Sequence, residues 1–310
     1  MQKTFQFIIL RKNVAILRFL CYDKTMNQVI TAFKEHKTFK QNRPWDVNTL
    51  TFPTDTVTPP HYADTIEVLL CCNVMGEIYI GGQKNVLGGN QVFYIPPRAV
   101  HSIFYKKNNG YVKVLKIHVE QFKAMLNIET LLQYSGKSFL CLPLQIPCFE
   151  EVCNVADVFH SSDNIFEICQ CVLRLFGLLV HYCETSDFEG VKNDINNHNL
   201  RKIILWTENN YLKKISIAEI AQIVGYEKHY FCNKFKSLTG ISYISYVNAL
   251  RIQHACRLLA GGSPVSAVCD ACGFENLSYF IQLFKKTVGT TPKIYAANVS
   301  TQKSPVNLFL

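Results

Sequence analysis

The amino-acid sequence predicts an α+β protein, with an N-terminal β-barrel, a helical extension and an all-α C-terminal domain. Short strand-like segments broken by Gly, Pro and Asn fill residues 60–120, which is typical of a sheet sandwich or small barrel. Beyond residue 120, apolar residues recur at helical spacing. A pattern of helix, Gly turn and helix then occurs twice, with Gly225 and Gly273 lying 48 positions apart.

These features divide the 310 residues into six segments. We expect an extension at 1–40, a barrel at 41–125, a helical dimerisation and coupling region at 126–189, a linker at 190–199, a double helix–turn–helix domain at 200–298 and a tail at 299–310. The apolar stretch Phe5–Leu20 contains Arg11, Lys12 and Arg18. It therefore predicts neither a secretory signal nor a membrane span.

The barrel is predicted from strand-like segments that end at turn residues. The expected strands are Ile66–Asn73, Glu77–Ile80, Gln91–Ile95, Ser102–Tyr105 and Val112–Val119. A barrel of this size encloses room for about one small molecule.

The positive charge is concentrated in the last third of the chain. From Leu200 onward there are 13 Lys and Arg against five Asp and Glu, a balance of +8 out of a formal charge of +9. This asymmetry favours a polyanionic partner, although a solvated basic surface explains it as well. The 13 Cys lie mostly on apolar stripes and lack zinc-finger spacing, which suits free thiols in a reducing cytoplasm.

Residues 164–182 form the clearest helix before the linker. An apolar stripe at alternating spacings of three and four is typical of an antiparallel helix pair or coiled coil. The stripe consists of Ile165, Ile168, Val172, Leu175 and Leu179. Two interpretations stay open, namely packing against the chain's own barrel and a homodimer contact.

The duplicated pattern has the chemistry of two helix–turn–helix units. Ser216 and Glu219 predict a capping box at the start of the first helix. Gly225 predicts its end, and a second helix from near Glu227 buries an apolar face. The second copy repeats the stripe, the turn at Gly273 and the buried Phe residues. In such a pair the second helix is free to enter the major groove of DNA.

The second copy closely resembles the signature of the AraC/XylS family of transcriptional regulators, over about residues 200–297. The matching residues are Gly273-Phe274, Ser278-Tyr279-Phe280, Phe284-Lys285-Lys286, Gly289, Thr291-Pro292 and Tyr295, together with Leu250-Arg251, Ala255 and Leu258-Leu259 of the connecting helix. Two positions depart from the pattern. Glu227 stands where Ser is usual, and Ala296 stands where Arg is usual.

The N-terminal part resembles the cupin barrels that serve as sensing domains in AraC-type regulators. The matching residues are Pro60-His61-Tyr62, Glu67, Gly76, Gly88-Gly89-Asn90, Ile95-Pro96-Pro97 and His101. The resemblance implies an effector site at His61, Glu67, Tyr94 and His101. Ala63 replaces one histidine of the metal-binding pattern, so we expect no metal and no cofactor here.

For the C-terminal domain the resemblance implies which side chains meet DNA. The base-facing candidates are His229, Cys232, Asn233, Leu277, Ser278, Ile281 and Gln282. The phosphate-facing candidates are Lys228, Lys234, Lys236, Lys285, Lys286 and Lys293. Asn and Gln pair with adenine, whereas Arg, which favours guanine, is missing from these positions.

The sequence therefore predicts a cytoplasmic, sequence-specific DNA-binding transcription regulator that is not an enzyme. Its expected partners are double-stranded promoter DNA, a small-molecule effector in the barrel, RNA polymerase and a second copy through 164–182, with no membrane. Two alternatives stay open: a metal-dependent cupin enzyme with a DNA-binding tail, and a DNA-binding protein without an effector.

Overall fold

The computed structural model describes residues 28–30, 43–52, 55–122, 146–185 and 194–301. Its strands are β1 Gln28–Ile30, β2 Trp45–Thr51, β3 Asp55–His61, β4 Ile66–Ile80, β5 Gln83–Ile95, β6 His101–Tyr105 and β7 Tyr111–Ile117. Its helices are α1 Val119–Phe122, α2 Ile146–Ser161, α3 Ile165–Thr185, α4 Asp194–Asn210, α5 Ile217–Ile223, α6 Lys228–Thr239, α7 Tyr243–Ala260, α8 Val265–Ala271, α9 Leu277–Val288 and α10 Pro292–Thr301.

The strands form one sheet in the order β1-β3-β6-β4-β7-β2, with β5 paired to β4. Strand β4 is long and bent, and it pairs with β5, β6 and β7, so the sheet folds over into a half-barrel. The two strands predicted at Ile66–Asn73 and Glu77–Ile80 are therefore one strand. Its register shifts near Asn73, where φ is +52°, because a bulge lets a strand bend without ending.

Alternation along the strands divides the sheet into two apolar faces. One face packs against α2 and α3 through residues such as Ile66, Val68 and Leu70. The other face closes on itself around Leu69, Ile78 and further buried side chains. The predicted effector residues are divided between these two faces. Because successive residues of a strand point to opposite faces, only those on the same face can meet.

The stripe of α3 packs within the chain itself. Ile168, Val172 and Leu175 are fully buried against the sheet and α2. Of the two interpretations left open, packing against the barrel is therefore the one observed for the stripe. The opposite side of α3 exposes Phe166 and Leu173, at 77% and 46%.

Two predicted boundaries differ in the structure. The linker expected at 190–199 is helical from Asp194, where α4 begins. Asn197 of α4 is buried because its side chain contacts the half-barrel, so this segment is ordered by tertiary contacts that its Asn-rich sequence does not reveal. The extension expected at 1–40 contributes β1, which pairs in parallel with β3. The rest of 1–40, and residues 123–145 of the coupling region, lie outside the described residues.

The C-terminal domain has two apolar cores joined by α7. The first core gathers α4, α5, α6 and the N-terminal half of α7, around Phe231 and Phe235. The second gathers the C-terminal half of α7 with α8, α9 and α10, around Phe280 and Phe284. Nine Cys residues whose side chains the structure describes are free thiols, and several of them fill these cores.

Candidate functional site: a DNA-binding face and a buried polar centre

The second helix of the first unit, α6, is held by defined caps at both ends. The Glu227 carboxylate accepts hydrogen bonds from the backbone N–H groups of His229 (2.8 Å) and Tyr230 (3.2 Å). The hydrogen bond from Tyr230, followed by that from His229, lowers the pKa of Glu227. Gly240 ends the helix in the left-handed region, at φ +80°. The capping box predicted for the preceding helix is present in part, since the Ser216 hydroxyl accepts from the N–H of Glu219.

The second helix of the second unit, α9, has a different N-cap. Asn276 accepts from the N–H of Tyr279 at 2.9 Å. The Glu that follows the turn here, Glu275, instead forms an ion pair with Lys214 at 2.9 Å. The turn of this unit has one more residue than that of the first, so equivalent glutamates have different roles.

The base-facing candidates lie on the outer faces of α6 and α9. His229 and Asn233 are exposed in the first unit, and Leu277, Ser278 and Gln282 are exposed in the second. Cys232 and Ile281 occupy equivalent positions, and both are half-buried against their unit's core. The structure therefore places these two at the edge of the face, where they are less accessible than predicted.

The phosphate-facing candidates are mostly accessible to solvent. Lys234 is half-buried and the others are exposed, namely Lys228, Lys236, Lys285, Lys286 and Lys293. Exposed lysines are available for contacts with phosphates, which position a duplex without reading its sequence.

Two exposed tyrosines on the same faces were missed from the sequence. Tyr230 and Tyr279 lie in the first turn of α6 and α9, and they are 52% and 48% exposed. The Tyr279 hydroxyl accepts from the side-chain amide of Asn248 in α7, at 3.1 Å. The available signal was the buried Phe after each Tyr, since adjacent helical residues do not share a face.

The junction between the two units is fixed by Arg251 and Gly273. Arg251 of α7 donates to the carbonyl oxygens of Tyr211 (2.7 Å) and Lys213 (2.8 Å). Its guanidinium also lies 5.5 Å from the centre of the Phe274 ring. A Cβ at Gly273 would lie 2.4 Å from the carbonyl oxygen of Leu212. These contacts set the orientation of one unit relative to the other.

The N-terminal domain contains a buried polar centre. His61 of β3 faces His101 of β6 across an antiparallel pair, and their ring centres are 4.1 Å apart. Glu67 of β4 places one carboxylate oxygen 3.3 Å from His101 Nε2. Donor atoms of these three side chains lie within 4.8 Å of one another. Three of the four predicted effector residues therefore come together.

Burial controls the charges in this centre. It lowers the pKa of His101 to about 4, and burial together with the neighbouring His101 lowers the pKa of His61 to about 4. Burial raises the pKa of Glu67. Lys116 of β7 lies opposite Glu67, with its Nζ 3.5 Å from the second carboxylate oxygen, and burial lowers its pKa to about 8. Sequence reasoning missed Lys116, although a lysine inside an apolar strand was the available signal.

The fourth predicted effector residue, Tyr94, lies elsewhere. Glu67 is paired with Ile95 of β5, so Tyr94 points to the opposite face of the sheet. There it packs in the helix-facing core, 6.5 Å from the ring of Phe176. Tyr94 is therefore not part of the polar centre.

The half-barrel and the first unit are in direct contact. The N–H of Val100 donates to the side-chain oxygen of Asn197 in α4 at 2.9 Å. The Ser102 hydroxyl donates to the carbonyl oxygen of Thr239 at the end of α6, at 2.7 Å. Ser102 directly follows His101 on β6, so neighbouring residues of one strand reach the polar centre and the first unit.

Two tandem helix–turn–helix units beside a folded half-barrel define the class of a two-domain DNA-binding regulator. A family model described as a helix-turn-helix domain matches residues 213–298. A curated HTH-type transcriptional regulator in the cgkA 5' region of Pseudoalteromonas carrageenovora is 30% identical over 118 residues, 38% of this chain and 70% of that protein. The chain belongs to the AraC/XylS family of transcriptional regulators, and it is a DNA-binding transcription regulator.

Two further likenesses extend over most of the chain. The HTH-type transcriptional regulator YobQ of Bacillus subtilis strain 168 is 24% identical over 227 residues, 72% of this chain and 82% of YobQ. ToxT from Vibrio cholerae O395 is a solved structure with 16% identity and a TM-score of 0.41, covering 83% of this chain and 99% of ToxT. Among the helices of the described ranges, none has the length and apolar character needed to cross a membrane.

Proposed function

We propose that the regulator reads an asymmetric duplex site with its two units and that a ligand in the half-barrel controls this binding. The observation that carries the proposal is the adjacency on β6, where His101 faces the polar centre and Ser102 holds the first unit. A ligand that prefers one arrangement of the centre would bias the attached unit.

In this proposal α6 and α9 enter successive major grooves, about 34 Å apart. The reading side chains are Asn233 and Gln282, which occupy equivalent exposed positions in the two helices. Both carry amides that pair with adenine, so the preferred site is rich in A and T. The outer faces differ otherwise, which favours an asymmetric site over two identical half-sites.

Selection of bound duplexes from a random pool tests this assignment. Gln282→Ala should relax the preference at one or two positions and cost about 1–3 kcal/mol on the preferred site. Lys285→Ala, on the same helix, should weaken binding evenly across sequences and reduce the salt slope by about 1. An unchanged selection profile for Gln282→Ala would contradict the assignment.

The coupling is tested with compounds that raise the unfolding temperature of the full-length protein. Such a compound should change DNA affinity by about 5–150-fold, which is the usual range of coupling between sites. The change should shrink in Ser102→Ala, which loses the bond to Thr239. Ser161→Ala is the control, since that exposed hydroxyl donates to Asp157 within its own helix. Equal coupling in all three proteins would exclude this path, and no coupling in any would favour the alternative of a regulator without an effector.

We further propose a homodimer through the outer side of α3, where Phe166 and Leu173 are exposed and not part of the buried stripe. Phe166→Asp should lower the measured mass in sedimentation from dimer to monomer, whereas Glu167→Asp, at the neighbouring exposed position, should not.

We also propose a cytoplasmic location, contact with RNA polymerase at the promoter and no enzymatic activity. The alternative of a metal-dependent enzyme with a DNA-binding tail predicts turnover, which a regulator does not require.

A further inference from the structure

Two cysteine thiols meet where α2 packs on the half-barrel. Cys72 lies on β4 directly before the bend at Asn73, and Cys153 lies on α2. The two thiols are in hydrogen-bond contact, and both are free. Cys72 is buried, whereas Cys153 is half-buried at the margin of the helix-facing core. Small solutes can therefore reach the pair from the side of Cys153.

The strand register and the period of the helix place these two residues together. On β7, Tyr111 is paired with Cys72, and Lys113, two residues further on, points to the same face of the sheet. On α2, Asp157 lies one helical turn beyond Cys153 and shares its side. The Lys113 ammonium donates to the Asp157 carboxylate at 2.5 Å. This ion pair and the thiol contact therefore join the same side of α2 to the same face of the sheet.

The surroundings of Cys153 slow its reaction with oxidants. Burial, followed by the neighbouring Cys72, raises the pKa of the Cys153 thiol, whereas Lys113 acts in the opposite direction. The thiolate is the reactive form of a cysteine, so a thiol with a raised pKa reacts slowly. The pair should therefore stay reduced in the presence of traces of oxidant and respond to a sustained excess.

Free cysteines often serve only as small apolar side chains in a core. Two thiols in contact have a further property, because a bond between them requires the sulfur atoms only to approach from hydrogen-bond contact to about 2.05 Å. The pair lies on the helix-facing side of the sheet. Glu67 and the polar centre lie on the other side, so the pair is separate from the proposed effector site.

We propose that Cys72 and Cys153 are a redox modification site that closes into an intramolecular disulfide when the protein meets a hydroperoxide. The deprotonated Sγ of Cys153 attacks an oxygen of the hydroperoxide, the O–O bond breaks, and the leaving oxygen takes a proton to become an alcohol. The Sγ of Cys72 then attacks the resulting sulfenic acid, the S–O bond breaks, and the hydroxyl leaves as water with the proton of Cys72. The two thiols together lose two electrons and two protons, and the hydroperoxide is reduced. The new bond ties α2 to β4 where the strand bends.

The test treats reduced, tag-free, full-length protein with an excess of tert-butyl hydroperoxide and maps its peptides by mass spectrometry without reduction. The peptides that contain Cys72 and Cys153 should become joined within one chain, with the loss of two hydrogen atoms, and dithiothreitol should separate them again. Peptides that stay separate would overturn the proposal, whether Cys153 is unchanged or carries added oxygen. A link from Cys153 to a different cysteine would overturn it as well. This measurement uses the wild type, so it does not depend on the folding of any variant.

Variants separate the roles of the two thiols. Cys72→Ser should abolish the link and leave Cys153 as a sulfenic acid that dimedone captures, whereas Cys153→Ser should abolish both the link and the captured product. Cys171→Ser is the matched control, since that half-buried thiol lies on α3, and it should form the link at the wild-type rate. Circular dichroism verifies that each variant is folded. Capture by dimedone at Cys72 in folded Cys153→Ser, with none at Cys153 in folded Cys72→Ser, would refute the order of the two steps.

Discussion

Replacing Gly273 with alanine should destabilise the C-terminal domain more than the same change at Gly225. The two glycines are equivalent turn residues of the two units, and their φ values are nearly equal, at +73° and +70°. An alanine at such a φ costs about 1–2 kcal/mol, and this cost is common to both variants. The gain from a less flexible unfolded chain is common to both as well.

The surroundings of the two glycines differ. A Cβ at Gly225 meets nothing within 4 Å, whereas one at Gly273 lies 2.4 Å from the carbonyl oxygen of Leu212. That carbonyl belongs to the backbone of the turn that follows α4, so it moves only if this turn moves with it. Overpacking of this kind costs about 1–3 kcal/mol, which is therefore the expected difference between the variants. The same displacement should disturb the bonds of Arg251 to Tyr211 and Lys213 and weaken DNA binding.

Urea unfolding of the full-length protein measures this difference. Trp206 lies in α4 and is one of two tryptophans, so a Trp45→Phe background makes its fluorescence a reporter of this region. Midpoints and slopes are compared for Gly225→Ala and Gly273→Ala in that background, since the slope reveals a loss of two-state behaviour. Equal midpoints, or a larger loss for Gly225→Ala, would refute the argument from the Leu212 contact.

Three further predictions concern the turns and the junction. Glu227→Ser should raise DNA affinity at low salt, because serine can cap α6 without placing a negative charge at a helix N-terminus that phosphate favours; filter binding at several salt concentrations checks this. The stability that Glu227 contributes should be present above its ordinary pKa of 4.5 and be lost as the pH falls through its lowered pKa, so the midpoints of wild type and Glu227→Gln should converge in acid. Arg251→Lys should lower the free energy of unfolding in urea by about 1–2 kcal/mol, because lysine cannot donate two fixed hydrogen bonds to Tyr211 and Lys213 at once. An unchanged midpoint would show that the two-pronged guanidinium contact is not needed for stability.

Much of the C-terminal domain follows from its sequence. Apolar residues at spacings of three and four, each series ended by a glycine, predict the helices, since the period of the helix alone decides which residues share a face. The same logic applied to the Phe residues at 231 and 280 would have placed Tyr230 and Tyr279 on the outer face. The selection experiment is needed to identify the bases that are read, because the exposure of a side chain does not specify which base it contacts.

Less of the N-terminal domain could be predicted from its sequence. Alternation within a strand tells which residues share a face, but the register between strands decides which strands bring those faces together. The sequence resemblance groups Tyr94 with Glu67, whereas the pairing of Glu67 with Ile95 puts Tyr94 on the other side of the sheet. The apolar stripe of α3 likewise shows that one side of the helix is buried, but it does not show whether that side packs on the chain's own barrel or on a second copy.

The two helix–turn–helix units follow from the sequence alone, because the information that specifies them is local: helix period, caps and left-handed glycines act within a few residues. The family resemblance groups His61, Glu67 and His101 as one site, but the fold is needed to show that their donor atoms converge, that Lys116 stands beside them, and that Ser102 ties the same strand to the end of α6. These contacts join residues far apart in the chain, up to 137 positions for Ser102 and Thr239. Long-range register and packing arise from the whole fold, and no short stretch of sequence contains them.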